Sequence, residues 1–333
     1  MISPRPSDSI PDRQHGPWRR LISGWEFLLL IVGVVIFFLN VQASPYFLDP
    51  WNLSDATFNF TEKAMIAFAM ALVIISGEID LSVASTIALV STCMGFAVQQ
   101  GADTFVLVTI AITVGATCGA FNGFLVAVMG LPSIVVTIGT LSLFRGIAYI
   151  VLGDKAYSGY PESFAFFGQG YVWWVITFEL ALFVLLALLF YILLHRTSFG
   201  RSVIAIGNNP TAALFSGIRV ARVKFILFVL TGILSAVAAV CLTSRLGSTR
   251  PSIAVGWELE IVTMVVLGGV NILGGSGTIP GVMIAAVVMG MVTFGLGLLN
   301  VPGIVMSIFV GLLLIAVIAL PIIIRRTRQR ITS

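Results

Sequence analysis

The stretch Ala64–Val98, AMIAFAMALVIISGEIDLSVASTIALVSTCMGFAV, decides the fold class. Two apolar runs flank the short polar segment Ser76–Ser85, SGEIDLSVAS, which carries Glu78 and Asp80. Each run approaches the roughly 20 apolar residues that a helical membrane span needs. The rest of the 333-residue chain follows the same pattern, being 58% hydrophobic and 10% charged. A soluble domain carries about 25% charge, so the chain reads as an all-α polytopic membrane protein.

Ten spans are expected, at about 21–41, 57–76, 81–99, 104–129, 133–152, 171–194, 223–244, 258–273, 279–299 and 303–324. The second, third and eighth are short or interrupted by glycine. The first 20 residues are polar and lack the apolar core and cleavage site of a signal peptide, so a cytoplasmic tail is expected at 1–20 and another at 325–333. Lys and Arg in short loops set orientation. With both termini inside, 13 of the 18 basic residues fall on inner segments: Arg5, Arg13, Arg19, Arg20, Arg196, Arg201, Arg219, Arg222, Lys224, Arg325, Arg326, Arg328 and Arg330. Lys63, Lys155, Arg245 and Arg250 fall outside, and Arg145 lies within a span.

The membrane region 21–324 contains an internal repeat. LPSIVVTIGTLSLF from Leu131 aligns with VPGIVMSIFVGLLL from Val301 at an offset of 170, and the same offset lays GEIDLSVAS from Gly77 over GSTRPSIAV from Gly247. The topology turns the two copies in opposite directions, giving inverted five-helix halves at about 21–160 and 165–324. Transporters built this way place solute sites where broken helices meet near the midplane.

A charge at the centre of a span costs about 2.5–3.5 kcal/mol on insertion scales, so it should pair, cap a helix or face water. Asp80 is placed as the N-cap of the third span, accepting from backbone N–H groups around Ser82 and Val83. Glu78 has no such local use. It either lines a pathway, pairs with Arg145 in SLFRGIAY, or sits at a membrane edge. Arg145 is also able to snorkel outward along its own helix. Glu179 raises the same question. Glu258 and Glu260 in GWELE read as first-turn acids beside an interfacial Trp257. Asn122 and Asn271 suit helix–helix hydrogen bonds.

Much chemistry is missing from the sequence. No G-x-x-x-x-G-K-[ST] phosphate loop occurs, so the chain is expected to hold no ATPase and no cofactor of its own. GGSGTIPG (Gly274–Gly281) lacks the lysine and reads as a tight turn with close helix packing. Cys93, Cys118 and Cys241 lie in apolar runs without disulfide or metal-ligand spacing. No metal site, no enzyme constellation and no nucleic-acid partner is expected.

The largest inner segment, 195–224, contains a short punctuated helix: Asn209 caps it, Pro210 takes its first position and Gly217 ends it. Leu214 and Phe215 are exposed apolar residues beside arginines. They suit a docking surface or a helix lying on lipid head groups.

The segment TAALFSG (Thr211–Gly217) resembles the E-A-A-x-x-x-G loop of ABC importer permeases, the coupling helix that inserts into the ATPase subunit. Ala212, Ala213 and Gly217 match, while Thr211 stands where the family has Glu. GEIDLSVAS, NGFLVAVMGLPSIVVTIGTL, TSFGRSVIAIGNNPTAALFSGI and VVLGGVNILGGSGTIPG occur in order and look like the ribose/xylose-type sugar permeases, over about residues 60–320. Many of those read G-G-I-D-L-S, so Glu78 is a departure. GEIDLSVA with LFRGIAYIVLGDKAY looks most like the L-rhamnose branch, ahead of ribose, xylose, galactose and the furanosyl signal autoinducer-2.

The resemblance implies a bacterial inner-membrane importer with two permease subunits, a separate ATPase that uses ATP, and a periplasmic sugar-binding protein. It implies ATPase coupling through Asn209, Pro210, Thr211, Ala212, Ala213, Leu214, Phe215 and Gly217. A neutral sugar needs hydrogen-bond partners, which makes Ser82, Asn122, Thr137, Thr140 and Asn271 pathway candidates beside Glu78, Asp80 and Arg145. The rival expectation is an ion- or proton-coupled secondary transporter or channel using Glu78, Asp80 and Arg145.

Overall fold

Nine of the ten expected spans contain a helix in the computed structural model, which describes residues 25–153 and 155–303 and scattered positions up to 315. Most of the tenth span and both expected tails lie outside the described residues. The helices are α1 (Trp25–Ala43), α2 (Pro50–Phe58), α3 (Thr61–Ile75), α4 (Val83–Val98), α5 (Thr104–Gly123, extended by a π turn over Phe124–Val128), α6 (Ser133–Leu152), the single turn α7 (Phe166–Gln169), α8 (Phe178–Arg196), α9 (Ser198–Asn208), α10 (Pro210–Phe215), α11 (Val220–Leu246), α12 (Trp257–Leu267) and α13 (Ile279–Leu298). Two small antiparallel pairs close the loops: β1 (Tyr157–Ser158) on β4 (Ser248–Thr249), and β2 (Tyr171–Trp173) on β3 (Ile176–Thr177).

Among the described residues six helices are long and apolar enough to cross a membrane. A seventh is added if α2 and α3, bent by 46° at their junction, count as one span. In place of the ten expected spans, the described residues thus show six or seven helices of spanning length. The exceptions are the spans the sequence marks as short. At 1.5 Å per residue, the 16 residues of α4 and the 11 of α12 reach about 24 and 16 Å, less than a hydrocarbon core of about 30 Å. Two boundaries need correction. The sixth span starts at Phe178 rather than 171, because 171–177 forms the β2–β3 hairpin. The eighth ends at Leu267 rather than 273, because Gly268 and Gly269 turn the chain there.

The helix boundaries carry the repeat. Shifted by 170, the end of α3 at Ile75 falls one residue from the end of α11, and the end of the α5 π turn falls on the end of α13. The two short helices α4 and α12 occupy equivalent places. The equivalent helices α3 and α11 also run antiparallel. Glu62 at the head of α3 meets Arg245 at the foot of α11, and Glu78 after α3 meets Lys224 near the head of α11. This is the relation an inverted repeat requires.

The loops sort into two ends. Gly275 N donates to Ile75 O (2.8 Å), Asn208 Nδ2 to Gly275 O (3.1 Å), Ile79 N to Ser133 Oγ (3.2 Å) and Trp25 Nε1 to Leu267 O (2.6 Å). At the opposite end Ser54 Oγ donates to Val175 O (2.7 Å), Gln99 Nε2 to Ser158 O (3.2 Å) and Ser244 Oγ to Phe164 O (2.6 Å). These contacts divide the loops they join into two groups at opposite ends of the helices.

Helix α3 runs through the centre, and every one of its residues but Lys63 is buried. The tightest neighbours are α5 and α11. Gly115 and Gly119 of α5 sit against the backbone of Gly232 and Phe228 of α11, with no room for a Cβ. Between lipid-soluble helices, van der Waals contact at such small-residue faces replaces the hydrophobic drive of water. Cys118 and Cys241 are buried free thiols and Cys93 is half-buried.

Candidate functional site

The polar segment between α3 and α4 is the centre of the first candidate region. Gly77 turns the chain at φ +86°, a conformation glycine adopts without steric cost. Asp80, 2% exposed, then folds back on its own backbone. Its Oδ1 accepts from Ser82 N (2.9 Å) and Ser82 Oγ (2.6 Å), and its Oδ2 accepts from Thr231 Oγ1 (3.0 Å) of α11. Asn122 of α5 donates Nδ2 to Ser82 Oγ at 2.7 Å. The expected N-cap role of Asp80 needs correction: the cap position is Ser82, without a side-chain cap bond, and Asp80, three residues before α4, forms an Asx turn onto Ser82 instead. Its second oxygen reaches the other half of the repeat. Asn122 Oδ1 is buried without a hydrogen-bond partner.

The expected pairing of Glu78 with Arg145 does not form. Glu78 Oε1 instead takes Lys224 Nζ of α11. Arg145, two-thirds of the way along α6, donates from Nη1 to the carbonyls of Pro251 (2.7 Å) and Ile253 (2.6 Å). The reason is direction: Glu78 sits at the end of the molecule where α6 begins, and Arg145 reaches toward the other end. Arg145 there ties down the segment 247–256, the repeat partner of the Glu78 segment.

Thr137 and Thr140 are buried on α6 and bond within it: Thr137 Oγ1 donates to Ser133 O (2.8 Å) and Thr140 Oγ1 to Thr137 O (3.4 Å). Asn271 is a correction. It lies past the end of α12 in an exposed turn, where Oδ1 accepts from Leu273 N (3.1 Å), and offers no helix face to a neighbour. Ser82, Asp80, Asn122 and Thr231 form one cluster with Glu78 and Lys224 next to it. Thr137 touches its edge through Ile79 O (3.3 Å). Arg145 and Asn271 stand apart from it.

The second candidate region is the 195–224 loop. Helix α10 forms as the punctuation predicts. Asn209 Oδ1 accepts from Ala212 N (2.9 Å), Pro210 fills the first position, and Gly217 has φ +83°. Gly217 N and Ile218 N close onto Leu214 O and Ala213 O, a glycine-ended helix stop. Ala213 is buried beneath α10, while Leu214 and Phe215 are 60% and 87% exposed. The amphipathic helix α9 precedes it. Gly207 of α9 presses on the Ile75 carbonyl with no space for a Cβ.

Sequence reasoning missed Lys224 and Thr231 as partners of the junction. Their signal was partial: they are two of several polar residues on α11, and being seven apart they share a face. What they face was not readable, since their partners lie some 150 residues away in the chain.

The chain matches the family model described as "Branched-chain amino acid transport system / permease component" over residues 52–318. It belongs to this family. The permease is also similar along nearly its whole length to curated proteins. It is 35% identical over 314 residues to the autoinducer 2 import system permease protein LsrD of Photorhabdus temperata, covering 92% of this chain and 94% of that one. It is 36% identical over 301 residues to LsrD of Yersinia enterocolitica serotype O:8 (89% and 91% covered) and 35% identical to LsrD of Yersinia pseudotuberculosis serotype O:3 (89% and 90%). No solved structure gives a significant match. The permease is a multi-pass membrane protein. Among its described residues, no cluster of His, Cys, Asp and Glu is able to hold a metal ion.

Proposed function

We propose that this permease is the membrane-spanning subunit of an ATP-driven bacterial importer for a small polyhydroxylated solute, working with a separate ATPase, a solute-binding protein and a second permease subunit. The observation that carries the reading is α10. It is a rigidly capped helix set on a buried Ala213, and it presents Leu214 and Phe215 outward from the end richest in arginine and lysine. A preformed apolar knob on a solvated loop is a handle for a partner protein. The relatives named as autoinducer 2 import permeases favour that solute, and the sequence likeness to L-rhamnose permeases draws no support from them. Both termini then face the cytoplasm, with ten spans when α4, α12 and the segment from 303 onward are counted.

The ion-coupled alternative loses its footing, because each charge it needs is engaged. Glu78 holds Lys224, Asp80 accepts three hydrogen bonds, and Arg145 is spent on two carbonyls.

Reconstitution in liposomes with the ATPase, the binding protein and the second permease subunit tests the proposal. Uptake of autoinducer 2 that requires ATP and all components is the expected result, with L-rhamnose as competitor. Uphill uptake by this chain alone overturns it.

A further inference from the structure

The two flanks of the α10 loop converge on one place. Before α10, Asn208 Nδ2 donates to Gly275 O at 3.1 Å, and Gly275 N donates to Ile75 O at 2.8 Å. Gly207 lies directly on the same Ile75 carbonyl. After α10, Lys224 grips Glu78, and Thr231 on the same face of α11 holds Asp80 at 3.0 Å. Lys224 and Thr231 are seven residues apart, two turns or about 10 Å along the helix. The segment 75–80 is therefore held from both sides of α10, at its start by α9 and along its length by α11. The lysine–glutamate pair is the one ion pair among these ties, with side chains 18% and 15% exposed. It is charged where the rest of the junction is buried and neutral or hydrogen-bonded.

The geometry points to Glu78 and Lys224 as positioning residues that transmit movement of the α10 loop to the α3–α4 junction and its Asp80–Ser82–Asn122 cluster. The pair acts as a strut: when a partner draws on Leu214 and Phe215, the start of α11 moves and the junction moves with it. An ion pair suits this use because it resists separation while allowing the lysine stem to swing, which a packed apolar contact does not. The inference rests on the reading of α10 as the docking site for an ATPase.

The experiment uses the assembled complex with its ATPase in lipid nanodiscs, with Cys93 replaced by Ala and Leu81→Cys as a reporter beside the junction. Maleimide labelling of position 81 is compared in the nucleotide-free complex and after trapping with ATP and vanadate. A several-fold difference between the two states is expected in the otherwise unaltered complex. Glu78→Gln should abolish that difference while the ATPase still co-purifies, and the swap Glu78→Lys with Lys224→Glu should restore it. Lys224→Gln serves as the independent variant should Glu78→Gln fail to assemble. A difference that persists in the single variants overturns the inference, as does one absent from the unaltered complex or not restored by the swap. Phe215→Asp separates the underlying reading: it should release the ATPase. If the ATPase stays bound and active with Phe215→Asp, the docking assignment falls whatever the strut does.

Discussion

Glu62 on α3 and Arg245 on α11 form a two-pronged ion pair, Arg245 Nε donating to Oε1 at 2.9 Å and Nη2 to Oε2 at 2.8 Å. The Glu62 side chain is 1% exposed. The pair joins the two halves of the repeat at the end opposite Glu78 and Lys224, so α3 and α11 are pinned at both ends. Planar guanidinium matched to carboxylate fixes direction as well as distance. Glu179 sits beside it, accepting from Thr61 Oγ1 at 3.0 Å.

Arg245→Met leaves Glu62 buried without its partner. Removing one member of a buried pair costs about 3–5 kcal/mol. The variant should melt well below the parent in detergent, read by thermal unfolding with size-exclusion detection. Adding Glu62→Gln to Arg245→Met should recover part of the loss. An unchanged melting temperature for Arg245→Met would show that water reaches Glu62.

The α5–α11 contact makes a prediction with its own control. Gly232→Ala and Gly119→Ala place a Cβ on facing backbone, and overpacking of this kind costs about 1–3 kcal/mol. Gly139→Ala on α6 meets nothing within 4 Å and should leave stability unchanged or slightly raised through helix propensity. Equal behaviour of the three variants would contradict the close packing.

Asp80→Ala strips the acceptor from Ser82 N, Ser82 Oγ and Thr231 Oγ1. Buried donors left unsatisfied cost about 1–3 kcal/mol. Asp80→Asn keeps one acceptor oxygen for Ser82 and should lose less. The order parent, Asn, Ala in thermal stability is the check, and a reversed order would sink the Asx-turn assignment.

Sidedness is testable directly. Phe215→Cys and Trp174→Cys stand 87% and 66% exposed at opposite ends. A membrane-impermeant maleimide should label position 215 only in inside-out vesicles and position 174 only in right-side-out cells. Labelling of both from one side would overturn the two-ended arrangement of loops.

Much of the site was legible in the chain. The α10 helix followed from Asn209, Pro210 and Gly217, because capping and φ preferences act over a few residues and need no distant partner. Asp80 was readable only as a local backbone acceptor: it was expected to cap α4, but the cap is Ser82 and Asp80 forms an Asx turn before it. The partner of Glu78 was not readable. Arg145 looked suitable by charge alone, but charge says nothing about height in the membrane. Asn271 looked like a helix-face residue because the apolar run continues past Leu267, yet Gly268 and Gly269 end the helix first.

The sequence by itself determined the membrane class, the sites of nine helices, the self-similarity at an offset of 170 and the short capped helix α10. These depend on apolar run length, local punctuation and self-similarity, all of which are properties of neighbouring residues. Only the tertiary structure decided who holds the charges: Glu78 with Lys224, Glu62 with Arg245, Arg145 with two carbonyls, Asp80 with Thr231. A charge inside an apolar protein must find a partner, but which partner is set by helices brought side by side from distant parts of the chain.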